Sequence, residues 1–173
     1  MNKFSRLNLA VIATACATLT LTTANAGPLV NIQLLRGNAG VTVVATPTSD
    51  PAVLNATATG PVQTSPLGNC VENAQIQAHF PANPADPVVL NGTVTLTTLD
   101  GANSLNLTVS GTALPDPANP FFYNAKYQVT ITGGTGAYAS AKGLAQITEV
   151  IMFTSQLTAT VTWNMTGFVT TTR

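Results

Sequence analysis

Two carboxylates that interrupt apolar faces are the strongest candidates for chemistry in this sequence. Glu72 alternates with apolar residues within 70–80, and Glu149 alternates with apolar residues within 147–153. Alternate residues of a β-strand share one face, so both carboxylates are predicted to face an apolar interior. Burial disfavours the charged form and raises the pKa of a carboxyl group, which is how a protein makes a general acid. Glu72 and Glu149 are therefore the catalytic candidates, with a position near a barrel mouth, or a register slip at a bulge that turns them to solvent, as the alternative.

Four aromatic residues fall on the same predicted inward faces. Tyr123 and Tyr127 lie on one face of a single strand, where their phenol groups could pair with the carboxylates. Phe80 follows the strand of Glu72, and Trp163 lies in the last strand. These four residues are the predicted ligand-binding set, and the alternative is that they only fill the core.

Other common kinds of site have no support in the sequence. His79 is the only histidine, and no CxxC or HExxH pattern occurs, so we expect no metal. None of the serines lies in a GxSxG motif. Cys70 is the only cysteine after residue 26, which excludes an internal disulfide in that part and favours a small buried apolar role. We expect no cofactor.

The elements that must position these residues are β-strands. Period-2 alternation covers 69–80, 88–96, 105–111, 121–131 and 157–165, and no stretch after residue 26 keeps a helical period. Within 27–51 the alternation is weaker. It predicts two short strands, 29–35 and 41–46, split by a turn at 37–40, and then a strand over 53–59 that ends at Gly60-Pro61. Seven to nine strands with one apolar and one threonine-rich face predict an all-β fold, an antiparallel barrel of about eight strands or a sandwich.

A glycine-rich corner joins two of these strands. Gly133, Gly134 and Gly136 allow a tight reversal, Tyr138 offers a ring to pack over it, and Gly143 permits close approach as the next strand begins. A dinucleotide loop would need a following helix, whereas the sequence returns to period 2, so these five residues are predicted to form a structural turn.

This corner also resembles that of a known family. The pattern GGTGAYASAKG over 133–143, preceded by Asp100-Gly101 and Leu105, is similar to the allene oxide cyclase and dirigent β-barrel superfamily, in particular its secreted bacterial members. Ser65-Pro66-Leu67-Gly68 resembles a short loop of those bacterial proteins. The resemblance spans 52–169 and implies an eight-stranded antiparallel barrel of calycin type with a ligand or substrate in its lumen. It also implies a trimer, as in the plant relatives.

The first 26 residues have the pattern of a secretory signal peptide. Lys3 and Arg6 precede an apolar or small-residue run, and Ala24-Asn25-Ala26 matches a cleavage site. We therefore expect a mature domain of residues 27–173, secreted or periplasmic and not membrane-spanning once cleaved. A lipoprotein attached through Cys16 and an outer-membrane barrel are weaker alternatives, because the apolar run continues past the cysteine and the chain has few aromatic residues.

Charge excludes one class of partner. Residues 27–173 contain four basic and six acidic residues, a net charge of −2 with His79 neutral, and the basic residues are not clustered. Nucleic-acid binding is therefore not expected.

Three functions remain open. The leading hypothesis is an exported barrel that binds a small, largely apolar molecule in its lumen. The alternatives are a cofactor-independent isomerase or cyclase, like the plant relatives, and a structural or surface-interaction protein.

Overall fold

The computed structural model describes residues 29–172, so the predicted signal peptide lies outside the described part. Eight strands and one 3₁₀ turn make up this part of the chain. The strands are β1 Val30–Pro47, β2 Val53–Ser65, β3 Gly68–His79, β4 Val88–Thr98, β5 Ser104–Asp116, β6 Asn119–Thr135, β7 Lys142–Phe153 and β8 Thr158–Thr172.

The strands form a closed antiparallel barrel in chain order. Each strand pairs with the next, and β8 returns to pair with β1 from Val30↔Thr172 to Val44↔Thr158. Closure leaves no free sheet edge along this seam, which removes a route to aggregation. The predicted all-β barrel of eight strands is confirmed. Within residues 29–172, no helix is long and apolar enough to cross a membrane.

The first two strands are longer than the sequence predicts. The segment 37–40, predicted as a turn, lies inside β1, and β2 continues past Gly60-Pro61 to Ser65. β1 is held in extended form by its continuous pairing with β8, a contact between opposite ends of the barrel domain that local sequence cannot reveal. Its pairing with β2 is interrupted between Ala39↔Val62 and Val43↔Ala58, opposite Pro61, which has no N–H to donate.

Alternation decides which side chains enter the barrel. Cys70, Glu72 and Ala74 of β3 point inward and are buried, whereas Asn73 and Gln75 are exposed. The later strands follow the same rule, with inward residues mostly buried and most threonines outside; Thr171 of β8 is a buried exception. The inward faces predicted for β3 to β8 therefore form the core.

One end of the barrel is packed solid. Its core side chains are almost fully buried, among them Leu35, Leu96, Leu105, Ile131 and Val169. The 3₁₀ turn at Gly136–Tyr138 covers this end, and Tyr138 and Ala141 belong to the same core. We call it the closed end.

The glycine corner forms part of the closed end. Gly133 and Gly136 have positive φ values of 152° and 57°, and Gly133 and Gly134 lie at the end of β6. A Cβ on Gly134 would clash with the carbonyl oxygen of Ser104, so this position needs glycine for space. The corner is tied to the β4–β5 turn, because the Ala137 N–H donates to Asn103 Oδ1 at 2.8 Å.

Candidate functional site

The lumen opens into a cavity at the end opposite the glycine corner. Its volume is about 110 Å³, and it extends from the middle of the barrel towards the end that carries the loops 48–52, 80–87 and 154–157, where Phe80 and Leu157 line it. Its walls are mainly aliphatic and aromatic, with Leu90, Val109 and Val161 among the buried ones. For scale, an engineered apolar cavity of about 150 Å³ holds a benzene molecule. We call the loop end of this cavity the mouth and its inner end the floor.

On one side of the floor, Glu72 of β3 meets Trp163 of β8 across the lumen. Glu72 is only 5% exposed, and the Trp163 Nε1–H donates to its Oε2 at 2.9 Å. Burial raises the pKa of Glu72, and the hydrogen bond from Trp163 opposes that rise. An indole N–H donates but cannot accept, so this contact favours the carboxylate form.

Beside this pair lies a second one, Glu149 of β7 and Tyr127 of β6. The Tyr127 hydroxyl donates to Glu149 Oε1 at 3.5 Å. Burial raises the pKa of Glu149 to about 8, with a further contribution from the charge of Glu72. Burial also raises the pKa of Tyr127, so its phenol stays protonated.

The two pairs form one polar cluster in an otherwise apolar lumen. Glu149 is the cross-strand partner of Trp163, which places both pairs at the same level of the barrel. At neutral pH the raised pKa keeps Glu149 mostly protonated, able to donate a proton or a hydrogen bond into the cavity. We refer to Glu72, Tyr127, Glu149 and Trp163 as the floor cluster.

The remaining predicted ligand residues lie near the mouth. Tyr123 and Phe80 line the cavity and are partly buried. The Tyr123 ring packs edge-on against Phe153, with ring centroids 5.5 Å apart and planes at 73°. All six predicted catalytic and ligand-binding residues therefore line one cavity, four at its floor and two near its mouth.

Residues that the sequence did not single out create the space. Ala56, Ala58 and Ala74 line the cavity, where larger side chains would fill it. Gly37, predicted as part of a turn, faces inward, and a Cβ there would lie 3.1 Å from Cζ3 of Trp163. Gly37 thus leaves room for the indole ring. Small inward residues on β1 next to a tryptophan on β8 are the signal that would have identified Gly37, but reading it requires the β1–β8 register.

The predicted turn residues are remote from this site. Gly133, Gly134, Gly136, Tyr138 and Gly143 lie at the closed end, and none of them lines the cavity. Across residues 29–172, no group of three or more His, Cys, Asp or Glu side chains is arranged to hold a metal ion. Cys70 is buried, and its thiol donates to the Gly68 carbonyl oxygen at 3.5 Å.

Comparison with protein-family models, with curated proteins and with solved structures found no match.

Proposed function

We propose that this barrel binds a small, largely apolar molecule in its lumen. The supporting observation is the cavity itself, which is open at the mouth, has mainly apolar walls and carries its two carboxyl groups at the floor. Small-molecule sites commonly combine apolar walls with a few polar groups that fix the orientation of the ligand. A barrel whose interior served stability alone would gain from filling this space, since empty volume costs packing energy.

The only tryptophan of the chain provides the test, because Trp163 lies at the floor. Titration with 1-octanol, a neutral apolar probe, is expected to change its fluorescence with a dissociation constant on the order of 1 mM, because a cavity of about 110 Å³ buries part of the eight-carbon chain and the rest extends through the mouth. Ala56→Phe, which fills the cavity, should weaken binding at least about fivefold. Its matched control is Thr57→Phe, which places the same ring at the adjacent position of β2, on the outer face of the barrel.

Equal binding by wild type and Ala56→Phe, or no binding at all, would contradict a ligand site in the lumen. If the probe does bind in the lumen, mass spectrometry of small molecules extracted from protein purified out of its native host can identify the natural ligand.

The floor cluster favours one further function, a cofactor-independent isomerase or cyclase. A protonated Glu149 next to a phenol can move a proton or stabilise developing charge while the cavity walls position the substrate. On an identified substrate, Glu149→Gln should abolish turnover while the circular dichroism spectrum and the melting temperature stay close to those of wild type. Full activity of both Glu149→Gln and Glu72→Gln would exclude this role.

The family, the location and the assembly are also proposals. We propose membership of the allene oxide cyclase and dirigent-like superfamily on the corner motif 133–143. Export is proposed on residues 1–26, and N-terminal sequencing of protein recovered from the periplasm or medium should give Gly27 as the first residue. A trimer follows only from the resemblance, and light scattering of the purified domain will test it.

A further inference from the structure

We infer that the molecule bound in the lumen carries a cationic head group, such as a primary ammonium, that sits at the floor cluster while an apolar tail extends towards the mouth. This inference rests on the proposed lumen-binding function. Three observations support it: an oxygen of Glu72 that has no hydrogen-bond partner among the described residues and faces the cavity, the location of the positive charges and the aromatic lining of the cavity.

The first observation is an unused oxygen of Glu72. Its Oε2 accepts the hydrogen bond from Trp163, and among the described residues no other group bonds to this carboxylate. Among the described residues, every fully buried side-chain nitrogen or oxygen has a partner, so Oε1 must keep some accessible surface. Because Glu72 is 5% exposed and lines the cavity, that surface faces the cavity. A ligand at the floor therefore meets a free carboxylate oxygen.

The second observation concerns compensating charge. Within residues 29–172 the lysines and arginines are Arg36, Lys126 and Lys142, and each is exposed on the outer surface. Two acidic side chains thus share an apolar lumen to which the described part of the chain contributes no cation. An isolated charge in such surroundings is costly, and a cationic ligand would supply the missing partner.

The third observation is the aromatic lining. Trp163 and Tyr127 belong to the floor cluster, and Tyr123, Phe80 and Phe153 line the wall above it. Aromatic faces attract cations, and a nearby carboxylate can accept a charge-assisted hydrogen bond from an ammonium group. A carboxylate ligand would instead meet the like charge of Glu72. Within the floor cluster only the protonated Glu149 could donate to it, because Tyr127 and Trp163 already donate to the two glutamates.

The experiment compares three probes with the same eight-carbon tail: octylamine, 1-octanol and octanoate. Binding is followed by Trp163 fluorescence and independently by calorimetry. Octylamine should bind at least about tenfold more tightly than 1-octanol, as expected for a charge-assisted hydrogen bond in a desolvated site, and octanoate should bind more weakly than 1-octanol.

A pH series tests the floor directly. A primary amine stays protonated up to about pH 10. Octylamine binding should therefore strengthen between pH 6 and 9 as Glu149, which faces Glu72 and Tyr127, loses its proton. Octanoate binding should weaken over the same range.

Variants identify the groups responsible. Glu149→Gln should remove the pH dependence of octylamine binding, and Glu72→Gln should remove most of the preference for octylamine over 1-octanol. Asp86→Asn is the matched control. Its carboxylate lies in the exposed loop 80–87 at the mouth, outside the lumen, so the preference for octylamine over 1-octanol should persist in this variant.

The outcomes separate the two proposals. Binding of 1-octanol or octanoate as tightly as octylamine would overturn the cationic head group while leaving lumen binding in place. An octylamine preference that Asp86→Asn abolishes would also overturn it, since the attraction would then lie at the mouth. Failure of all three probes to bind would contradict both proposals.

Discussion

Glu149 shows how its surroundings turn an ordinary carboxyl group into one that titrates near neutral pH. It lies on β7 beside Trp163 and receives a hydrogen bond from Tyr127, yet no cation approaches it within the described residues. Burial therefore dominates, and the pKa rises from 4.5 to about 8. Glu72, with its shorter hydrogen bond to Trp163, keeps more of its carboxylate character.

This shift predicts that the folded barrel loses stability at alkaline pH. A carboxyl group whose pKa is raised on folding contributes fully to stability below its unfolded pKa of 4.5, and that contribution disappears as pH rises through about 8. The melting temperature should fall between pH 5 and 9, and in Glu149→Gln it should fall by about 10 °C less. Parallel pH curves for the two proteins would show that Glu149 ionises as it does in the unfolded chain.

At the scale of the element, β1 shows what an inward glycine does in a strand. Gly37 faces Trp163 and the side chains of Thr64 and Met165, whereas the neighbouring Gly40 has open space where a Cβ would be. Strand position, rather than backbone conformation, distinguishes them, because neither has a positive φ.

Leucine substitutions at the two glycines are therefore expected to have different effects. Gly37→Leu should push the indole away from Glu72, lower the free energy of unfolding by about 1–3 kcal/mol and shift the Trp163 emission. Gly40→Leu should leave both nearly unchanged, or stabilise β1 slightly by removing a flexible residue. Urea unfolding and emission spectra measure the two effects. Similar losses of unfolding free energy in both variants would mean that glycine is needed for the backbone of β1 and not for the space taken by the Trp163 indole.

The corner between β6 and β7 allows a second comparison, between the stabilities of glycine and lysine variants. Gly136→Val forces a β-branched residue to φ 57°, and Gly134→Val brings a side chain against the Ser104 carbonyl, so each should cost about 1–3 kcal/mol. Lys142→Ala should cost little, because its exposed Nζ only donates to the Thr132 carbonyl oxygen at 2.9 Å. Thermal melts with and without added nucleotide check this. Unchanged melting of both glycine variants, or stabilisation of wild type by nucleotide, would contradict a purely structural corner.

For the molecule as a whole, stability and binding are assigned to opposite ends of the barrel. The closed end contains the fully buried side chains, whereas the mouth has partly exposed apolar ones such as Leu157 at 39%. The cavity near the mouth is tolerated because the fully buried side chains of the closed end supply most of the packing energy of the barrel.

A pair of leucine truncations tests this division. Leu105→Ala, at a position with 0% exposure in the closed end, should lower the free energy of unfolding by about 2–5 kcal/mol. Leu157→Ala, at the mouth, should cost less than about 1 kcal/mol, because water already reaches this side chain. Denaturant unfolding of the two variants gives both values. Comparable losses would show that the mouth contributes to the core as strongly as the closed end.

The sequence alone determined the fold class, most strands and the inward direction of Glu72, Glu149, Tyr127 and Trp163, because alternation is a local property that the pleat of a strand turns directly into two faces. Only the tertiary structure decided that β1 is one continuous strand and that Gly37 makes room for an indole ring, since both depend on pairing with β8 from the far end of the chain. The same holds for the hydrogen bond between Glu72 and Trp163, which joins residues 91 positions apart. Periodicity predicts which face a side chain occupies. Barrel closure sets how deep along the lumen it lies and which side chain it meets there.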